Sequence, residues 1–256
     1  MNEVFVSVKG SGQPIVYLHG FLETNEIWSA FTEQLPNYKH FLFDLPGFGK
    51  SDALPFHFSL TDVATQVVRK TEQLGLQNFH LVGHSLGGYV VLAILETFPE
   101  KLKSITLFHS TPLPDTTEKK ENRTKAISFI NDNGVEIFAR NFVKPLFANP
   151  QHPAITFAEN LALKAKKDTV TAYLQAMRDR PDRSKLLNNS PVPLLVIAGE
   201  KDQVIQAELI EQTLRNRPAT TFTVLADVGH MGMFEATKNT QEILSDFLEK
   251  NSYQAL

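Results

Sequence analysis

Residues 79–88 read Phe79-His80-Leu81-Val82-Gly83-His84-Ser85-Leu86-Gly87-Gly88, and this stretch decides the fold. Phe79–Val82 is a short apolar run of the kind that forms a strand buried on both faces. Gly83 and Gly87 bracket a serine with residues that leave room for a tight turn. The chain from Gly87 to Phe98 is apolar and free of breakers, which predicts a helix. Strand, sharp turn and helix together throw Ser85 out at the carboxyl end of a parallel sheet.

Working outward, short apolar segments alternate with helical ones. Strands are predicted over Val4–Val8, Ile15–Leu18, Lys39–Phe43 and Lys103–Phe108. Ile27–Phe31 begins an amphipathic helix closed near Pro36. Leu60–Leu74 carries apolar residues at helical spacing (Leu60, Val63, Ala64, Val67, Val68, Leu74) and stops at Gly75. The alternation breaks from about Thr111 to Asn189, where Thr124–Asn133, Val135–Phe142, Ala154–Lys166 and Val170–Arg178 all favour helix. It resumes with strands at Pro193–Ala198 and Thr221–Leu225, a helix at Ala207–Leu214, and a final helix over Met233–Lys250. The expected class is α/β: a mostly parallel central sheet with helices on both faces. Residues 1–110 and 190–256 form its core. Residues 111–189 are a helical cap over the carboxyl edge of the sheet, where open parallel sheets place their sites.

The composition fits one domain with an insertion. The chain has 256 residues, 42% of them hydrophobic, a net charge of −3 with both signs interspersed, and no cysteine. A disulfide scaffold, a thiol nucleophile and thiolate metal ligands are therefore excluded. No basic stripe suggests nucleic acid or an anionic membrane surface. The histidines show no zinc-binding spacing, so neither a metal nor an organic cofactor is expected. Met1-Asn2-Glu3-Val4-Phe5 lacks a signal peptide's basic start, and no apolar run reaches the roughly 18 residues of a membrane span. The expectation is a cytoplasmic monomer or small homo-oligomer.

A serine hydroxyl needs a base within hydrogen-bond reach, and the base needs an orienting acid. Asp202 follows the predicted strand Pro193–Ala198, and His230 follows Thr221–Leu225 in Gly229-His230. Both loops open on the same edge as Ser85, so Ser85, His230 and Asp202 are the candidate nucleophile, base and orienter. Asp115, at the cap entrance, is the alternative acid. Glu200 comes too soon after its strand, and Asp227 shapes the loop of His230. His84 packs or hydrogen-bonds beneath the turn. Fixed backbone donors are needed for the charge that develops on a carbonyl oxygen. The Leu86 amide, at a helix start, and the Phe21 amide, after His19-Gly20, are the candidates. Phe48, Tyr89, Phe138 and Phe142 are candidate linings of an apolar pocket.

His19-Gly20-Phe21, Asp44-Leu45-Pro46-Gly47-Phe48-Gly49-Lys50-Ser51, Gly83–Gly88, Gly199-Glu200-Lys201-Asp202 and Gly229-His230 together resemble the α/β-hydrolase superfamily, in its capped serine-hydrolase, carboxylesterase-like branch. The resemblance spans essentially the whole chain. It implies the same roles for Ser85, His230, Asp202, Phe21 and Leu86, a structural turn at Asp44–Ser51, and a small apolar acyl ester as substrate. Branches with aspartate at the position of Ser85, the haloalkane dehalogenases and epoxide hydrolases, do not match. The alternatives are a carbon–carbon bond (vinylogous diketone) hydrolase, which would use a cap arginine such as Arg123, Arg140, Arg178, Arg180 or Arg183, a thioesterase, or a non-catalytic receptor on the same fold.

Overall fold

The computed structural model describes residues 3–55, 57–215, 217 and 220–252; Met1 and Asn2 of the N-terminal reading lie outside them. Seven strands form one sheet: β1 (Val6–Gly10), β2 (Gln13–Leu18), β3 (Tyr38–Phe43), β4 (Phe79–His84), β5 (Leu102–Phe108), β6 (Leu194–Gly199) and β7 (Thr220–Leu225). Their order is β1-β3-β2-β4-β5-β6-β7. Only β1 runs antiparallel, against β3; every other neighbour is parallel.

That order creates the site. From β2 the chain moves outward to β3, then returns to place β4 on the other side of β2. β2 and β4 pair in register from Ile15↔His80 to Leu18↔Gly83. The loops that leave them therefore diverge from adjacent points on the same edge, which is the switch-point crevice of an open α/β sheet. Helices α1 (Leu60–Gln73) and α2 (Leu86–Thr97) follow β3 and β4 and pack on each other, with α2 lying against β2, β4 and β5. β4 and β6 are buried at every position, as strands covered on both faces should be.

Between β5 and β6 there is no strand. Five helices fill the interval: α3 (Thr117–Asn133), α4 (Val135–Val143), α5 (Ala154–Ala162), α6 (Lys167–Arg178) and α7 (Ser184–Asn189). They form the inserted cap region. α3 packs on α6, and α4 on α5. The periodicity placed four of these; α7 was not expected, since its six residues offer too few turns to show a pattern. After β6 come α8 (Ala207–Leu214), α9 (Gly232–Glu235) and α10 (Thr237–Ser252).

Two expected helices differ. Ile27–Pro36 is not a continuous helix but two 3-10 turns, Asn25–Trp28 and Phe31–Gln34. The apolar spacing is right, since Ile27, Trp28, Phe31 and Leu35 are all buried. Between the two turns the Thr32 hydroxyl donates to the carbonyls of Trp28 and Ser29, at 3.1 and 3.2 Å. The helix expected over Met233–Lys250 is interrupted at Ala236. There the Thr237 hydroxyl donates to the Met233 and Phe234 carbonyls, at 2.8 and 3.2 Å.

Candidate active site

Ser85 sits between β4 and α2 with φ +49° and ψ −112°, outside the regions a non-glycine residue ordinarily occupies. The turn is held from both sides. The Ser85 amide donates to the Phe108 carbonyl at 3.0 Å, and the Ser110 hydroxyl donates to the Ser85 carbonyl at 2.8 Å. The glycines are required by space: a Cβ on Gly83 would lie 2.5 Å from the Gly87 carbonyl group, and one on Gly87 would lie 2.5 Å from the Leu18 oxygen. Ser85 borders a cavity of about 60 Å³ together with His230, Phe21 and Tyr89. Among the described residues no hydrogen bond joins Ser85 Oγ to His230. Larger hollows exist, one of about 380 Å³ beside His57 and Arg180, but Ser85 and His230 border none of the others described.

His230 and Asp202 meet directly, with Nδ1 2.7 Å from Asp202 Oδ2. The carboxylate is fixed from behind. Its Oδ1 accepts from the Val204 and Ile205 amides at 2.8 and 2.9 Å. A second imidazole, His109, brings its Nδ1 to within 3.3 Å of the same Oδ2. Burial disfavours the Asp202 charge, but His230 and the donors around it prevail and hold the carboxyl well below the usual carboxylate range. Thus Asp202 is an ionised acceptor facing His230. Asp115, the other candidate acid, makes no such contact: it is clamped between Arg123 and Arg180, the latter at 2.7 Å. Asp227 pairs with Lys201 at the surface of the loop before His230.

His109, Asp202 and His230 gather closely enough to be considered for a metal. Their facing atoms are already joined to one another by hydrogen bonds, with both Nδ1 atoms on one carboxylate oxygen. The two imidazoles thus converge on one carboxylate oxygen. His109 was not expected here, and its signal is conformational: it holds φ +48°, and its Nε2 is buried without a partner among the described residues.

The loop of His230 is tied to the cap. Its amide donates to the Leu146 carbonyl at 2.7 Å. Glu235, from α9, accepts from the amides of Ala148, Gly229 and Met231, at 2.7, 3.1 and 3.2 Å. Nothing in the local sequence marks Glu235 for this work.

His84 lies beneath the turn, but it also borders the cavity. Its Nδ1 is 3.0 Å from Glu23 Oε2, and its Nε2 is 2.9 Å from the His230 carbonyl oxygen. Burial opposes charge on both partners, yet each favours it in the other: the His84 pKa is raised and that of Glu23 lowered. A carboxylate and a carbonyl can only accept, so both ring nitrogens donate and His84 is an imidazolium. Glu23 Oε2 also accepts from the Gly20 amide at 2.5 Å. The pair thus links three loops, those of Gly20, Ser85 and His230.

The remaining predicted residues divide. Phe21 borders the cavity, and its amide has no acceptor among the described residues. Leu86 opens α2, where amides lack an intrahelical acceptor. Tyr89 and Phe142 line the cavity; Phe48 and Phe138 pack edge-on against Phe21, with ring centroids at 6.3 and 6.5 Å, and do not line it. Arg123 reaches the cavity from α3. Arg180 stacks on Tyr89 with its guanidinium carbon 4.0 Å from the ring centroid. Asp44 is structural: it accepts from Asn25 at 2.7 and 2.8 Å and from the Lys50 amide at 2.9 Å.

No described helix is long and apolar enough to cross a membrane. Relatives share this architecture. An esterase from Thermogutta terrifontis superposes with a TM-score of 0.92 at 28% identity, over 98% of this chain and 94% of that one. Lipase 3 of Moraxella sp. is 28% identical over 242 residues, 90% of this chain and 75% of that protein. The putative 2-succinyl-6-hydroxy-2,4-cyclohexadiene-1-carboxylate synthase of Bacillus subtilis is 26% identical over 251 residues, 93% of this chain and 91% of that protein. A profile of the alpha/beta hydrolase fold matches residues 13–167, more than half of the sequence. With that match, the seven-stranded sheet and the inserted cap, the chain belongs to the α/β-hydrolase fold family, among enzymes that hydrolyse small organic substrates.

Proposed function

We propose that this chain is a serine hydrolase that cleaves small to medium carboxylic esters through an acyl-enzyme. The observation that carries the reading is the buried Asp202–His230 pair bordering the same cavity as Ser85 on its strained turn. His230 takes the Ser85 proton as Oγ bonds to the ester carbonyl carbon. The Phe21 and Leu86 amides donate to the resulting oxyanion. The imidazolium gives its proton to the departing alcohol, leaving the acyl group on Ser85. Water then attacks, His230 takes its proton, and the acid leaves with Ser85 restored. The cavity's volume of about 60 Å³ and its Phe21, Tyr89, Phe142 and Leu146 walls favour short apolar acyl groups. The domain limits belong to the same proposal: residues 1–110 and 190–256 carry the chemistry, and residues 111–189 cover it. So does a cytoplasmic monomer or small homo-oligomer without nucleic acid or membrane as partner.

A fluorophosphonate followed by intact mass tests the mechanism. One adduct on Ser85, lost in Ser85→Ala together with p-nitrophenyl ester turnover, is expected. No adduct, or one elsewhere, refutes it. Saturable binding of an ester that stays intact would point to the receptor instead.

One observation favours a second reading, carbon–carbon bond hydrolysis. Arg123 lines the cavity and would face a carboxylate-bearing diketone. Its ion pair with Asp115 already occupies part of that charge, which is why the neutral ester is preferred here. Thioesters and vinylogous diketones run beside esters of two to sixteen carbons separate the readings; preference for the diketones by orders of magnitude would overturn the ester assignment.

A further inference from the structure

The acyl-enzyme steps assign no role to Glu23. Glu23 is 5% exposed and borders the cavity beside Ser85, Phe21 and His84. Its Oε2 is fully engaged by His84 Nδ1 and the Gly20 amide. Its Oε1 is buried and has no hydrogen-bond partner among the described residues. A buried acceptor without a donor is costly, and more so when it carries charge. The carboxyl cannot escape that cost by taking up a proton, because the His84 imidazolium holds it ionised. Nor can it swing away, since two donors fix its other oxygen. It stands next to the Phe21 loop: a Cβ on Gly20 would lie 2.7 Å from both Glu23 Oε2 and His84 Nδ1. Glu23, Phe21 and Ser85 border the same small cavity, so an ester whose carbonyl carbon lies at Ser85 has Glu23 among its neighbours.

We propose that Glu23 Oε1 is a substrate-reading acceptor, and that the preferred esters carry a hydrogen-bond donor, a hydroxyl above all, on the acyl carbon next to the scissile carbonyl. The inference rests on the serine-hydrolase reading and narrows its substrate class. It separates this site from one lined only by apolar groups. A pocket built around a donor rejects the analogue that lacks it, because the acceptor is then left dry and unpaired.

Ethyl 2-hydroxybutyrate and ethyl 2-fluorobutyrate form the test. Fluorine is close to hydroxyl in size and withdraws electrons as hydroxyl does, but it cannot donate. The expected result is a kcat/KM for the hydroxy ester at least about tenfold above the fluoro ester, the range of one hydrogen bond to a charged acceptor. Glu23→Ala and Glu23→Gln, compared by the ratio of the two esters, separate the effect from any general loss of activity. Collapse of that ratio in Glu23→Ala attributes the preference to this side chain. Equal turnover of both esters by the unmodified protein overturns the proposal, since a bound water then serves Oε1, and leaves the serine mechanism standing. If neither ester is turned over and Ser85 takes no fluorophosphonate, the serine-hydrolase reading has failed. The two intact esters are then compared by saturation-transfer NMR. Equal binding overturns the role of Glu23, and selective binding of the hydroxy ester supports it.

Discussion

Individual residues divide the labour around Ser85 by valence. Asp202 offers one oxygen to two backbone amides and the other to two imidazoles, so it is rigid before any substrate arrives. Asp202→Asn should lower kcat/KM by about 10⁴, by losing imidazole orientation and stabilisation of its cation. Asp115→Asn should leave fluorophosphonate labelling of Ser85 intact, because Asp115 serves the arginine clamp. Near-normal activity in Asp202→Asn with loss in Asp115→Asn would reverse the assignment. The second expectation concerns pH. In the proposed mechanism a neutral imidazole accepts the serine proton, so kcat/KM is expected to rise with pH on the acid side. On the sequence alone the curve then levels off. The structure adds a descending limb, since His84 must donate from both nitrogens. Its folded pKa is raised, so the interaction is intact in acid and is lost as pH climbs through that raised value. Bell-shaped kcat/KM in the native protein, with the alkaline limb abolished or moved in Glu23→Gln, is the expected profile. A plateau sustained to the alkaline unfolding limit would refute it.

At the level of elements, two local devices are measurable. α1 begins with a capping box, in which Ser59 Oγ accepts from the Asp62 amide and Asp62 Oδ2 accepts from the Ser59 amide. Ser59→Ala should destabilise the fold by about 1 kcal/mol, read as a lower urea midpoint with an unchanged m-value. The 3-10 turns after β2 are held by their apolar anchor and not by propensity. Trp28 is fully buried, with Tyr17, Phe31 and Phe108 at ring-centroid distances of 5.3, 5.5 and 5.5 Å. Trp28→Ala should cost about 3–5 kcal/mol. A loss below about 0.5 kcal/mol, within the range of surface substitutions, would show that the turns do not depend on this packing.

Across the whole molecule, buried histidines set the acid limit of stability. Burial, aided by Lys103, pushes His80 down to about 4, and burial pushes His109 down to about 4 against the pull of Asp202. Both are neutral in the fold, whereas an unfolded chain protonates histidine near pH 6.5. Between about pH 6.5 and 4 the unfolded state therefore binds more protons, and stability falls as pH falls. Each contributes on the order of 3 kcal/mol across that interval. Urea midpoints should drop steeply from pH 7 to pH 4, and His80→Gln should flatten part of the slope. A midpoint that stays constant over this range would contradict the burial argument.

The sequence by itself determined the order of strands and helices, the interruption by a helical insertion, and Ser85, Asp202 and His230 as the residues to examine. These are local or ordinal properties: apolar runs, glycines around a turn, and acids and histidines just past strand ends. The same local reading misjudged Ile27–Pro36 and the helix at Ala236, because apolar spacing does not tell 3-10 turns from a continuous helix, and Ala236 leaves helical geometry beside Glu235, which binds the distant Ala148 amide. Which acid faces His230 was decided only by the tertiary structure, since Asp115 and Asp202 both follow strands on the same edge. His109, Glu23 and Glu235 were equally invisible, for their partners lie 93, 61 and 87 residues away along the chain. A residue's protonation state and its spare valence depend on what folding brings next to it, and periodicity carries no record of such neighbours.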